Sequence, residues 1–257
     1  MPVNEDSPLH AVKKSRPSLT PLDDYTGSLS HKVYLSLKQA ILTLEFRPGE
    51  MMQKSHICTE LGVSRSPVTE AMARLASEGL VDIVPQTGTF VTRFSMAEIR
   101  EGAFLREALE LAAVERVAST ITEEQLVALR RNLRIQEALM QDGDTAGFYQ
   151  VDAQMHELIL SFTGYRRLAA LAETSWIQVN RARRLNLPLP GRMKATLAEH
   201  KAIVAALEAH DPQAARAATR RHLNQLITLL EPLVARHPEL FSAGPAPSDV
   251  AAGRADM

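Results

Sequence analysis

Strand-type alternation occurs once in this chain. The stretch 80–94, "LVDIVPQTGTFVTRF", alternates apolar and polar residues around a turn that contains Gly88, the pattern of a β-hairpin. Elsewhere the apolar residues return every three or four positions, the period of a helix with one buried face. One hairpin cannot build a barrel or a parallel sheet, so the fold class is mostly α, with the hairpin attached to a helical subdomain. Aromatic residues make up 5 % of the chain, which leaves the core to Leu, Ala, Val and Ile.

The ordered part divides near residue 94. Upstream, "SHKVYLSLKQAILTLEF" (30–46) puts Val33, Leu37, Ile41 and Leu44 on one helix face, and "RPGE" (47–50) is a turn. "KSHICTELG" (54–62) is a short helix with Ile57 and Leu61 inward and Gly62 as its C-terminal cap. "VSRSPVTEAMARLASEGL" (63–80) follows, capped by Ser64 or Ser66, with Pro67 tolerated in the first turn and Val68, Met72 and Leu75 as the buried stripe. Downstream, a capping box at 95–98 opens a helix to about Ser119, and a second at 122–125 opens one to about Gln141. Asp144 caps a third, to about Phe162, and a fourth covers 165–186. "LPLPG" (187–191) breaks the chain, a fifth helix covers 192–209, and Asp211 with Pro212 starts a sixth that runs to about Arg236. This predicts an all-helical bundle of six to seven helices with short connections. The ends, 1–27 and 238–257, are rich in Pro, Ser or charge and read as disordered tails, leaving domains at 28–94 and 95–237.

Net charge is −1, so a polyanionic partner must be met by a local patch. The single cysteine, Cys58, allows no intrachain disulfide and no thiolate cluster, which suits a reducing cytoplasm. No apolar run reaches the roughly 18–20 residues of a membrane span, and the N-terminus has no apolar core of a signal peptide.

Two short helices joined by "LGVS" and followed by a hairpin make a winged helix–turn–helix. In such a unit the second helix must present its N-terminal end to base edges in the major groove. Here that end is "SRSPVTE". Ser64, Arg65 and Ser66 are donors at the positive end of a helix dipole, suited to phosphate and guanine. The wing tip, with Gln86, Thr87 and Gly88, would lie along the minor groove or backbone. A small helical subdomain with no nucleic-acid role has the same spacing. Residues 28–93 carry seven Lys/Arg against six Asp/Glu, a surplus that does not decide between the two.

The stretch "ELGVSRSPVTEAMARLASEGLVDIVPQTGTFV", with "ILTLEFRPGE" before it, resembles the DNA-binding domain of the GntR family of bacterial transcription regulators. The resemblance implies a dimeric repressor or activator on a short palindromic operator in double-stranded DNA. By position, Arg65 matches the family's recognition arginine and Gly88 its wing glycine. Thr69 stands where the family usually has arginine, and a second frequent basic contact falls near Ser55, beside Lys54. Two customary cations are thus missing or displaced, which predicts altered operator preference or weaker, more salt-tolerant binding.

In the downstream helices, an acid and three histidines occupy apolar positions. Phe148, Asp152, Met155 and Ile159 share a face with His156 adjoining; Leu197, His200, Val204 and Leu207 form the fifth stripe; Ala215, Ala218, His222 and Leu226 form the sixth. Each histidine could be a core residue satisfied by one hydrogen bond. The acid asks for more, because a buried carboxylate costs several kcal/mol unless it is paired or bound to metal. Asp152 and His156 at i, i+4 point at one spot, and imidazoles with one carboxylate suit Zn²⁺ or Ni²⁺ better than Mg²⁺ or Ca²⁺.

The segments "FLREALELAA", "VDAQMHELI", "LAEHKAIVAALEAHDPQAA" and "ATRRHLNQL" resemble the FCD ligand domain of the FadR-like branch of the same family. In its metal-binding members an Asp-x-x-x-His and two later histidines hold the ion, and they correspond to Asp152, His156, His200 and His222. The resemblance implies a divalent transition metal as cofactor and a small organic acid as effector. Arg106 matches an arginine that lines the pocket there; a surface pair with Glu110 is the other reading. In the fourth helix Asn180 is a weaker pocket candidate, and "RARR" (181–184) reads as a solvated face or an interface. The function expected is a ligand-responsive regulator, a repressor in the bacterial cytoplasm. A structural metal with a different effector is the alternative. A metal-dependent hydrolase is disfavoured: Glu157 and Glu199 adjoin the histidines in sequence, but helix neighbours point about 100° apart.

Overall fold

The computed structural model describes residues 17–168, 171 and 176–242. It divides into two compact units, one formed by the chain up to Ala97 together with Leu233 onward, the other by Glu98–Pro232.

In the first unit, α1 (Leu29–Leu42) starts where the Ser28 hydroxyl accepts the His31 N–H. Its stripe of Val33, Leu37 and Ile41 is fully buried, and so are Val68, Met72 and Leu75 of α3 (Arg65–Ser77), onto which α1 packs. Burying each such side chain stabilises by roughly 1.5–3 kcal/mol. Leu44 does not extend the stripe: it takes a left-handed conformation (φ 65°) two residues beyond the helix. Between them, α2 (Lys54–Leu61) buries Ile57 and ends at Gly62, whose φ of 65° is the left-handed cap that glycine adopts without strain. Pro67 sits in the first turn of α3, where its missing N–H leaves no helical bond unmade.

The hairpin pairs β1 (Val81–Val84) with β2 (Gly88–Val91), Val81 opposite Val91 and Val84 opposite Gly88. The segment expected as a plain turn does more. Gly49 N–H donates to the Val91 carbonyl, Met52 N–H to that of Thr89, and Val91 N–H to that of Glu50, so 49–52 covers the free edge of β2.

Both tail assignments need correction at their inner ends. Residues 17–27 lie along the first unit: Ser36 Oγ donates to the Thr20 carbonyl, Leu19 N–H to Glu60, and Leu22–Asp24 form a 3-10 turn. At the other end, Phe94 and Phe241 exchange strand-like contacts and their rings lie 5.7 Å apart. Apolar anchors too sparse to show as a periodic pattern suffice because the surface they pack on is already formed. Residues 1–16 and 243–257 lie outside the described residues, as does part of the expected fourth helix.

The second unit is helical. α4 (Met96–Thr120) leads to α5 (Glu123–Asp142), whose N-terminus is a complete capping box of Thr122 and Gln125. α6 (Thr145–Phe162) is capped by Asp144, which accepts the Gly147 N–H. Of the expected fourth helix, residues 166–168 and 171 are helical, and α7 (Ile177–Asn186) forms its second half after a turn at Trp176. α8 (Arg192–Glu208) follows the Leu187–Gly191 break, and α9 (Pro212–Arg236) begins with Asp211 accepting from Ala214 N–H. Along α6 and α8 two apolar layers alternate with a polar one. Phe148 and Leu197 belong to one apolar cluster; Met155, Ile159, Ile203, Val204, Ala215 and Ala218 belong to the other. Asp152, His156 and His200 fall between them, walled from water on both sides.

Candidate functional site

Asp152, His156, His200 and His222 converge. Each is at most 6 % exposed, and one ligand-type atom from each lies within 4.8 Å of the others. α6 supplies the first two at i, i+4, α8 the third and α9 the fourth.

The histidine tautomers follow from their outer partners. His156 Nδ1 lies 2.7 Å from Glu110 Oε2, His200 Nδ1 2.8 Å from Gln136 Oε1, and His222 Nδ1 2.7 Å from Glu199 Oε2. Gln136 is oriented by its amide, which donates to Asn132 Oδ1. Every one of these partners is an acceptor, so each Nδ1 carries the proton and each Nε2 presents a lone pair. Those lone pairs face one another: His222 Nε2 is 3.2 Å from that of His156 and 3.4 Å from that of His200, with Asp152 Oδ1 3.5 Å from His200 Nε2. Burial, first, and the neighbouring histidines and Arg106 and Arg183, next, hold His200 and His222 well below the ordinary imidazole range, so they stay neutral. Neutral lone pairs pointed at one another repel; a cation among them turns the repulsion into coordination. Ligand atoms around one ion with bonds of 2.0–2.1 Å stand roughly 3.0 Å apart at octahedral edges and 3.4 Å at tetrahedral ones. The donor set fits a divalent transition ion.

Sequence reasoning did not find the outer partners. Glu110 is buried on α4 and bridges Arg106 Nε at 2.6 Å and His156. Burial alone would raise its pKa, but Arg106 and then His156 hold it well below the usual carboxylate range. The signal was present: Ile99, Gly102, Arg106, Glu110, Ala113 and Val117 fall on one buried face. Arg106 thus forms the pair with Glu110, in the interior and not at the surface. Glu199 is also nearer the site than its helix position suggested, because it reaches His222 on another helix.

A small cavity of about 30 Å³, open at its mouth, adjoins the cluster and is lined by Arg106, Asp152, Arg183, Arg192, Thr196 and His222, with Asn186 and leucines closing it. Here the reading of "RARR" as a solvated face is overturned. Arg181 is fully buried, Arg183 is 9 % exposed and ion-paired with Asp152, and Arg184 lies 3.9 Å over the Tyr149 ring. A segment so polar reads as solvent-facing, but its surroundings are a polar interior. Burial, chiefly, and Arg106 pull Arg183 down to about 9, so it is still a cation at neutral pH. Asn180 does not line the cavity: its carbonyl accepts the Tyr149 hydroxyl, and its side chain lies 3.5 Å from Arg183. Five buried wall atoms have no hydrogen-bond partner among the described residues: Arg106 Nη2, Thr196 Oγ1, Asn186 Oδ1 and the two carboxylate oxygens of Asp152, which face Arg183 and His200.

In the first unit, Ser64, Arg65, Ser66 and Thr69 are all exposed at the start of α3. Ser66 Oγ donates to Glu70, 3.2 Å away. Thr87 is exposed in the hairpin turn, Gly88 opens β2 with φ 152°, and Lys54 is half-buried at the start of α2. Arg65 has no ion-pair partner among the described residues. Replacing it by Ala should weaken operator binding by about 1–3 kcal/mol, a roughly 5- to 150-fold loss, in a fluorescence-anisotropy titration with DNA from the protein's own promoter. An unchanged affinity would remove Arg65 from the interface.

Residues 29–91 match the gntR family of bacterial regulatory proteins, and residues 101–225 match the FCD domain. An HTH-type transcriptional regulator in an unstable DNA locus of Streptomyces ambofaciens is 33 % identical over 214 residues, 83 % of this chain and 90 % of that protein. The HTH-type transcriptional repressor RspR of Escherichia coli strain K12 is 29 % identical, covering 84 % of this chain and 95 % of the relative. The solved structure of McbR/YncC from E. coli superposes with a TM-score of 0.70 at 23 % identity, over 81 % of this chain and 99 % of that one. No helix among the described residues is long and apolar enough to cross a membrane. A gntR-type winged helix–turn–helix followed by an FCD domain, with regulators as its relatives throughout, places this chain in the GntR family of bacterial transcription regulators.

Proposed function

We propose that this regulator is a homodimeric repressor, released from or tightened on a palindromic operator by a small carboxylate, and that Asp152, His156, His200 and His222 hold a divalent transition metal beside the effector cavity. The observation that carries the reading is the convergence of three Nε2 lone pairs and one carboxylate, with every Nδ1 fixed by an acceptor. Bound there, Zn²⁺ or Ni²⁺ supplies positive charge and open coordination positions suited to carboxylate oxygens. The protein's own residues do the rest. Glu110, Gln136 and Glu199 hold the imidazoles in the donating tautomer. Arg106, with Nη2 unengaged at the cavity wall, is placed to donate to an incoming anion. For the effector to change DNA affinity it must bind one arrangement of the protein better than the other.

The test is metal analysis of the purified protein followed by DNA retardation with and without chelator, each over a series of small organic acids. An acid that alters retardation only in the metal-loaded protein supports the reading. Retardation and acid response both unchanged by chelation would reduce the metal to a structural role, and no retardation at low salt would remove the operator reading. Thr69→Arg should add a phosphate or guanine contact, steepening the dependence of log K on log salt by about 0.9 and raising affinity or shifting sequence preference. Unchanged slope and preference would show that position 69 lies off the DNA.

A further inference from the structure

The charges around the cavity are paired one to one. Arg106 pairs with Glu110 at 2.6 Å, Arg192 with Glu199 at 2.7 Å, and Arg183 with Asp152. Among the described residues, these are all the charged side chains that line the cavity or touch a histidine of the cluster. Three cations and three anions balance among these described side chains. Such a balance is unusual for a cavity meant to attract an anion on its own, since each arginine already has its carboxylate. It is what a site needs if its attraction comes from an added ion. A divalent cation in the cluster leaves two uncompensated positive charges in a region whose walls are mostly less than 10 % exposed, and uncompensated buried charge costs several kcal/mol.

Resting on the function proposed above, we infer that the effector is a small dicarboxylate, whose two charges bring the loaded site back to neutrality, and not a monocarboxylate. Apart from the Asp152 oxygens of the cluster itself, the unengaged wall atoms agree with an oxygen-rich ligand. Arg106 Nη2 is a donor, Thr196 Oγ1 can donate to a carboxylate oxygen, and Asn186 Oδ1 can take a bridging water or a ligand hydroxyl. The cavity, about 30 Å³, is much smaller than an ordinary ligand pocket, which favours the shortest acids. Arg192 ties the cavity to the cluster: it lines the wall and holds Glu199 through two hydrogen bonds of 2.7 and 2.8 Å, and Glu199 in turn holds His222. A ligand carboxylate that draws on Arg192 therefore also acts on the orientation of His222.

The experiment is calorimetric titration of the full-length, metal-loaded protein with succinate, with its monomethyl ester, and with inorganic sulfate. The ester keeps the carbon chain and removes one charge; sulfate keeps two charges and removes the chain. Succinate should bind at least tenfold more tightly than either, and the preference over the ester should shrink to a few-fold or less after chelation. Ester binding as tight as succinate overturns the dicarboxylate inference and leaves the metal-linked pocket standing. Sulfate binding as tight as succinate overturns the carboxylate assignment. No binding of succinate, of the ester or of longer dicarboxylates such as glutarate overturns the pocket reading as well. Glu199→Gln, which leaves Arg192 without its counter-charge, should widen the preference for the dicarboxylate over the ester. A narrowed preference in that variant would also count against the charge balance.

Discussion

Glu110→Ala should destabilise the helical unit by about 3–5 kcal/mol. The carboxylate is 4 % exposed and holds two partners, Arg106 at 2.6 Å and His156 at 2.7 Å. Removing it leaves the Arg106 guanidinium, itself 4 % exposed, as a buried charge with no counter-ion. Breaking a buried pair from one side carries a penalty of that size because desolvation of the survivor is no longer offset. For a chain of this length the change corresponds to a fall in Tm on the order of 10 °C. Urea unfolding of the metal-free protein measures it without interference from metal linkage. Glu110→Gln, which keeps an acceptor for His156 Nδ1, should fall between the two. A loss under about 1 kcal/mol for the alanine variant would mean that water reaches the pair and that α4 does not seal the cluster.

His200→Ala should abolish metal retention. His200 is fully buried, and its Nε2 faces both Asp152 and His222. Even outer-shell changes typically lower metal affinity 10- to 100-fold, so the loss of a direct ligand should exceed about 100-fold in a competition titration with a chromogenic chelator. Stability supplies a second readout. At metal concentrations about 1,000-fold above Kd, binding adds on the order of 4 kcal/mol to the native state. Chelation should therefore lower the Tm of the natural protein by several degrees and leave that of His200→Ala almost unchanged. Equal chelation shifts in the two proteins would exclude the four-residue cluster as the place where metal binds.

The helical half of the site was legible because its signal is local. Asp152 and His156 stand at i, i+4, and all three histidines interrupt stripes that are otherwise apolar, so periodicity alone marked them. The capping residues Thr122, Asp144 and Asp211 were legible for the same reason: each satisfies backbone groups within three residues of itself. Arg183 and Glu199 were not. In sequence they are charged residues on polar helices, and a charged residue is read as exposed unless a partner can be named. Their partners, Asp152 and His222, lie 31 and 23 residues away on other helices. Glu110 falls between these cases, since its place on a buried face could be read but its role as the acceptor for His156 could not.

The sequence by itself determined the division into a winged helix–turn–helix and a helical bundle, the apolar stripes of α1, α3, α6, α8 and α9, and the four residue types that meet in the interior. These depend on backbone period and on short-range hydrogen bonds, which a linear pattern records. Tertiary structure alone decided which nitrogen of each imidazole is free, that every arginine at the cavity has its own carboxylate, and that "RARR" turns inward. Those properties depend on the packing of α4, α5, α7, α8 and α9 around α6, where burial makes each unpaired charge costly and so selects the pairs that long-range contact allows.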